Sequence, residues 1–126
     1  MYTGLLVLVL LIVAFTLFSR RGGKGIQQID AVELQTRMKE SPNSLEVIDV
    51  REPYEFSGGH IVKAKNIPLG KLDAKLGDLP KNKDVVFVCR SGNRSMAAAR
   101  KATKVGLTAV YNMSGGMIRW KGPVKR

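Results

Sequence analysis

Apolar residues along this chain fall into runs whose spacing separates strands from helices. The sharpest is Val85-Val86-Phe87-Val88 within residues 84–88, apolar at every consecutive position. Such a run is too uniform for a sheet with one wet face and predicts the centre of a parallel sheet covered on both sides. Residues 45–50 read as a second buried strand that ends at Asp49, with residues 26–29 and 109–112 as a first and a last strand. A short extended piece over 64–67 is closed by Pro68. Between these, Asp30 reads as a helix N-cap followed by Ala31, Leu34 and Met38 on one face, and Ser41-Pro42-Asn43 ends that helix. Glu52-Pro53-Tyr54-Glu55-Phe56 predicts a helical turn with Pro53 at its first position. Residues 69–79 form a weak helical stretch broken by Gly70 and Gly77. Residues 95–105 form an alanine-rich helix ended by Gly106, and a final helical turn covers 117–121. Strands alternating with helices predict an α/β fold, with a mostly parallel central sheet flanked by helices.

The first 19 residues have another character. They carry no charged side chain, and as a helix they would span about 28 Å at ~1.5 Å per residue, close to the ~30 Å hydrocarbon thickness of a bilayer. A cleaved leader would place basic residues before the apolar run and small residues at its end. Here Arg20, Arg21 and Lys24 follow the run, which ends Thr16-Leu17-Phe18-Ser19. The pattern favours a retained transmembrane anchor over 1–19 and a basic, glycine-containing linker over 20–25. One domain then occupies 26–126, on the cytoplasmic side by the positive-inside rule.

Composition adds two constraints. The net charge is +11, but the lysines are scattered with few interleaved aromatics, so no nucleic acid is expected as a partner. Attraction to anionic head groups and a solvated basic face both fit. Cys89 is the one cysteine among 126 residues, which excludes an internal disulfide framework and a multi-cysteine metal site. No metal and no cofactor are expected. A lone cysteine is either a small buried hydrophobe or a reactive thiol, and its neighbours decide.

Those neighbours are Arg90-Ser91-Gly92-Asn93-Arg94-Ser95, leading straight into Met96-Ala97-Ala98-Ala99. In parallel α/β sheets function gathers beyond the carboxyl ends of the strands, where Cys89 is predicted to stand. A short polar loop with a flexible glycine, opening into a helix, turns backbone N–H groups inward as an anion nest. With Arg90 and Arg94 nearby it favours a negative sulfur and so a nucleophilic thiolate. The alternative, an inert cysteine closing a core strand, explains neither the arginines nor the loop.

This segment resembles the active-site loop of the rhodanese family. The likeness extends to Leu45-Glu46-Val47-Ile48-Asp49-Val50-Arg51-Glu52, to Glu55-Phe56 through Gly59-His60-Ile61 with Asn66-Ile67-Pro68, and to Gly115-Gly116 with Trp120. The order of the four fragments makes the resemblance specific. Val62 and Lys63 stand where the family commonly has proline and glycine, a departure that touches one loop only.

The resemblance implies a rhodanese-like domain and a sulfurtransferase passing sulfane sulfur, from a small anionic donor such as thiosulfate to a thiol acceptor, through a Cys89 persulfide. It implies that the amides of Ser91, Gly92, Asn93, Arg94 and Ser95 cradle the sulfur. Arg90 and Arg94 would orient the donor, Arg94 more so. Sulfur-carrying members have a six-residue loop and phosphatase-like members seven with a later arginine. Arg94 here is the sixth residue counted from Cys89 and Ser95 the seventh. That count favours sulfur transfer over phosphatase or arsenate reductase activity. A non-enzymatic, membrane-tethered binding or regulatory module is the other reading. Asp49 and Arg51 are read as a supporting ion pair rather than catalytic groups, and His60 as a structural residue of its turn rather than a general base.

Overall fold

The computed structural model describes Gly4, residues 6–10 and residues 25–126. The expected anchor over 1–19 and linker over 20–25 fall for the most part outside the described residues. Among the described residues no helix is long and apolar enough to cross a membrane.

Five strands form the central sheet: β1 (Gln27–Ile29), β2 (Leu45–Asp49), β4 (Lys65–Asn66), β5 (Asp84–Val88) and β6 (Val110–Met113), in the order β1-β6-β5-β2-β4. Every pairing in it is parallel. Helices α1 (Ala31–Glu40) and α3 (Asn93–Lys104) are joined by the shorter α2 (Pro53–Ser57) and by 3-10 turns. A second, two-stranded antiparallel sheet pairs β3 (His60–Ile61) with β7 (Val124–Lys125).

The uniform apolar character of residues 85–88 has the predicted consequence. Alternate side chains point to opposite faces, so Val85 and Phe87 enter one core with Ala98, Ala99, Ala102, Leu72 and Leu76. Val86 and Val88 enter the other with Ile29, Leu34, Leu45 and Met113. All four residues are fully buried. The same alternation sends Cys89, one step past the strand, to the α3 face. Buried Ser95, Ala98, Ala99 and Ala102 make the inner stripe of α3. Three alanines among them keep the helix close to the sheet and its first turn close to the end of β5.

Sequence expectations and structure differ at several ends. Asp30 caps α1 as expected, accepting from the Glu33 N–H at 2.7 Å, and Pro53 opens α2. The helix predicted from residue 95 begins at Asn93, because Gly92 takes a left-handed φ of 108° and turns the chain into the helix two residues early. The stretch 69–79 is two 3-10 segments, Leu69–Lys71 and Asp73–Asp78. The extended piece 64–67 shortens to β4. The final turn is Gly116–Arg119, and β7 follows it where no strand was expected.

One contact fixes the floor of the loop after β5. Gly116, at φ 62°, lies so close to the strand end that a Cβ there would be 2.3 Å from the Arg90 carbonyl oxygen and 2.6 Å from that of Cys89. Met117 and Ile118 donate their N–H groups to the same two carbonyls, at 2.8 and 3.1 Å. The 116–119 turn thereby continues the hydrogen bonding of β5 after the strand has ended. Gly116→Ala is therefore expected to lower unfolding free energy by about 3 kcal/mol, from left-handed strain and backbone overlap. Gly70→Ala, at a position with nothing within 4 Å of the added carbon, should leave it nearly unchanged. Urea denaturation of the two variants beside the parent measures the difference.

Candidate active site

Cys89 is 1% exposed and lies where the apolar core gives way to polar backbone. Its Sγ accepts the Gly92 N–H at 3.1 Å and lies 3.2 Å from the Ser95 Oγ. Burial alone would push the thiol upward. The Ser95 hydroxyl and the backbone amides of Ser95, Gly92 and Ser91 oppose that, and the thiol settles below its ordinary value. Those are three of the five amides expected to form the cradle. The loop can close this tightly because of Gly92: its left-handed backbone turns its own N–H onto the sulfur and starts α3 in the same step.

The two arginines differ. Arg94, expected to hold an anionic donor, is engaged by the Glu55 carboxylate through two bonds, of 2.7 and 3.0 Å. The guanidinium holds that carboxyl far below the usual range, at about 2. Glu55 in turn accepts the Glu52 N–H at 3.2 Å, so α2 delivers a fixed carboxylate to the first turn of α3. Arg90 is exposed, and among the described residues no carboxylate pairs with it. Asn93, also on the expected loop, stands at the first position of α3.

Asp49 and Arg51 meet at the end of β2. The guanidinium donates to both carboxylate oxygens at 2.8 to 3.0 Å and to the Gly59 carbonyl at 2.8 Å. Both residues are buried. The Asn66 amide bridges the carbonyls of Asp49 and Arg51, at 3.0 and 2.9 Å. This cluster ties the β2 end to the loop carrying His60. His60 directs Nδ1 to the Phe56 carbonyl at 2.9 Å and stacks on the Phe56 ring with centroids 3.6 Å apart. That nitrogen therefore carries the proton and donates to a carbonyl.

Two residues linked to the sulfur through Ser95 escaped the sequence reading. Asn112 accepts from the Ser95 hydroxyl through Oδ1 and donates through Nδ2 to Gln28 Oε1 at 2.9 Å. A polar residue in the last buried strand, on the neighbour of β5, was the available signal. It carries weight only once β6 is known to lie beside β5.

Similarity to known proteins spans Cys89, Ser95 and Asn112, while Gln28 precedes the matched residues. The family model of the rhodanese-like domain matches residues 30–123. The chain is 44% identical over 80 residues to the uncharacterized protein YqhL of Bacillus subtilis, covering 64% of this chain and 64% of that one. It is 34% identical over 95 residues to a sulfurtransferase of Allochromatium vinosum, covering 75% of this chain and 88% of that one. The crystal structure of a rhodanese-related protein from Thermoplasma volcanium superposes with a TM-score of 0.71 at 33% identity, over 79% of this chain and 97% of that one. A rhodanese-like domain protein from Staphylococcus aureus gives 0.73 at 31%, with the same coverage. The matched stretch takes in β2, β4, β5 and β6 of the parallel sheet, the glycine-started helix and the cysteine before it, and the chain belongs to the rhodanese-like domain family.

Proposed function

We propose that this protein is a sulfurtransferase that carries sulfane sulfur as a persulfide on Cys89. The observation that supports this most is a buried thiol held below its ordinary value by loop amides and a hydroxyl. A sulfurtransferase among the relatives agrees with it. In the proposed reaction the Cys89 thiolate attacks the outer sulfur of thiosulfate. The Sγ–S bond forms as the S–S bond of the donor breaks, and sulfite leaves with the electron pair. An acceptor thiolate then attacks the outer sulfur of the persulfide, takes it, and returns Cys89 as thiolate. The chain has no second cysteine to displace that sulfur as an internal disulfide.

The loop amides suit the anion at each stage, because they are already aimed and need no reorganisation. Arg90, which has no carboxylate partner among the described residues, is the cation assigned to the donor. Arg94 joins it only when the donor displaces Glu55. A six-residue loop whose arginine is already held by a carboxylate is poorly arranged for a phosphoryl oxyanion. A binding module that needs no sulfur chemistry remains the contrasting reading, and the first test below separates the two.

We further propose that residues 1–19 hold the domain at the cytoplasmic face of a membrane, on the strength of their charge-free sequence and the basic residues after them.

Three measurements follow. Incubation with thiosulfate should add the mass of one sulfur to the native protein and none to Cys89→Ser; no adduct on a demonstrably free thiol rules out the transferase. Glu55→Gln should free Arg94 and lower the KM for thiosulfate severalfold with a smaller change in kcat. An unchanged or raised KM would make the carboxylate purely structural. Finally, the full chain should partition with membranes after an alkaline carbonate wash, whereas a chain beginning at residue 26 should not. Release of the full chain by that wash would exclude a spanning anchor.

A further inference from the structure

A line of hydrogen bonds runs from the buried sulfur to the surface across four elements. Cys89 Sγ lies 3.2 Å from Ser95 Oγ at the start of α3. Ser95 Oγ bonds to Asn112 Oδ1 on β6. Asn112 Nδ2 donates to Gln28 Oε1 on β1 at 2.9 Å, and Gln28 Nε2 reaches the Met96 sulfur at 3.6 Å. Ser95 and Asn112 are buried, 0% and 5% exposed, whereas Gln28 is exposed. Parallel pairing sets Gln28 directly beside Asn112, so the outer link is a cross-strand pair.

The line has a direction. A serine hydroxyl owns one proton. With that proton given to Asn112 Oδ1, Ser95 has only a lone pair for the sulfur, so it accepts from a Cys89 S–H. This is the right partner for a thiol and the wrong one for an anion. Every link, however, is an amide or a hydroxyl, and both kinds present a donor or an acceptor after rotation. Turning the two amides over gives Gln28 Nε2–H to Asn112 Oδ1, Asn112 Nδ2–H to Ser95 Oγ, and Ser95 Oγ–H to the sulfur anion. At the outer end the rotation gives up only a bond to a thioether, a weak acceptor.

We propose that Asn112 and Gln28 are positioning residues for Cys89. Their amides turn over together and reverse the chain, so that Ser95 accepts from the thiol at rest and donates to the sulfur anion once the proton has left. The proton passes to water or a buffer base in solution, and the electron pair stays on sulfur. Asn112 and Gln28 touch no substrate in this scheme. They decide which way the Ser95 hydroxyl points. Its use in sulfur transfer rests on the role proposed for Cys89, but the reversal belongs to the resting thiol and is measurable in a protein that transfers nothing.

Other charges surround the strand end. Arg90 lies in the loop, Arg94 is held by Glu55, Asp49 is held by Arg51, Asp30 follows β1, and Arg119 sits in the 116–119 turn. Among the described residues none of them bonds to Ser95, Asn112 or Gln28 through a side chain, so each acts on the sulfur through space and is weakened by salt. A bonded link is not.

The test uses acceptor-only substitutions, which lock the line in its resting direction. Gln28→Glu can only accept from Asn112, and Asn112→Asp can only accept from Ser95. Gln27→Glu adds the same charge to exposed β1 without a bond to Asn112. The pH dependence of iodoacetamide alkylation reports Cys89 alone, since it is the one cysteine. Gln28→Glu should raise the inflection so that alkylation below it slows about three- to tenfold, as a shift of half to one pH unit requires. That slowing should persist in about 1 M salt. Asn112→Asp should do so more strongly, and Gln27→Glu should show only a small effect that salt removes. If Gln28→Glu behaves like Gln27→Glu, or its effect disappears in salt, the proposal is overturned. Should Asn112→Asp fail to fold, the pair at positions 28 and 27 still decides.

Discussion

An anion inside this domain has almost no water to lean on. Cys89 follows a strand buried on both faces, and a charge in such a place costs several kcal/mol unless the protein itself supplies the donors. Everything around the sulfur answers that constraint. The Gly92 amide, the amides of Ser91 and Ser95, and the Ser95 hydroxyl converge on one atom. They do so because the chain turns from strand to helix at a left-handed glycine, with no side chain capping the helix start. The donors of the first turn are left over for the sulfur.

The rest of the fold holds that convergence in register. Alternation along β5 brings the sulfur to the α3 face, and three alanines let α3 lie close enough for Ser95 to reach it. The 116–119 turn bonds to the carbonyls of Cys89 and Arg90, so the start of the loop is gripped by a second element. From β2, the buried Asp49–Arg51 pair and the Asn66 amide brace the neighbouring loops. From α2, Glu55 holds Arg94. Each brace arrives from a different element, which is why a small domain can keep this sulfur in place without a disulfide.

How much of this was legible in the sequence follows from the range of the interactions. Val85-Val86-Phe87-Val88 told its own story, since burial on two faces leaves an unbroken apolar run. Asp30 and Pro53 announced helix starts by local chemistry alone. The cysteine, its glycine and the following helix are neighbours in the chain, so the candidate site could be read as well. Asn112 and Gln28 could not. They reach the sulfur only through the strand order β1-β6-β5, and strand order is a long-range property that no local pattern encodes. The fate of Arg94 was hidden for the same reason: its partner Glu55 lies 39 residues away. The β3–β7 pair was missed because two-residue strands carry too little periodicity to recognise. Helix α3 was placed two residues late because Gly92 was read as a loop residue rather than as the turn that starts it.

The folded loop should stabilise negative charge on sulfur more than water does. The direct measurement is the thiolate ultraviolet absorbance of Cys89 against pH, in the native protein and in the same chain unfolded by urea. The thiol is lowered in the folded state, so the native inflection should lie below the unfolded one. By linkage, unfolding free energy should then rise with pH between the two inflections, because the unfolded chain there still holds a proton that the native protein has released. A native inflection at or above the unfolded value would mean that burial outweighs the amides and the hydroxyl, and the account of this site would be wrong.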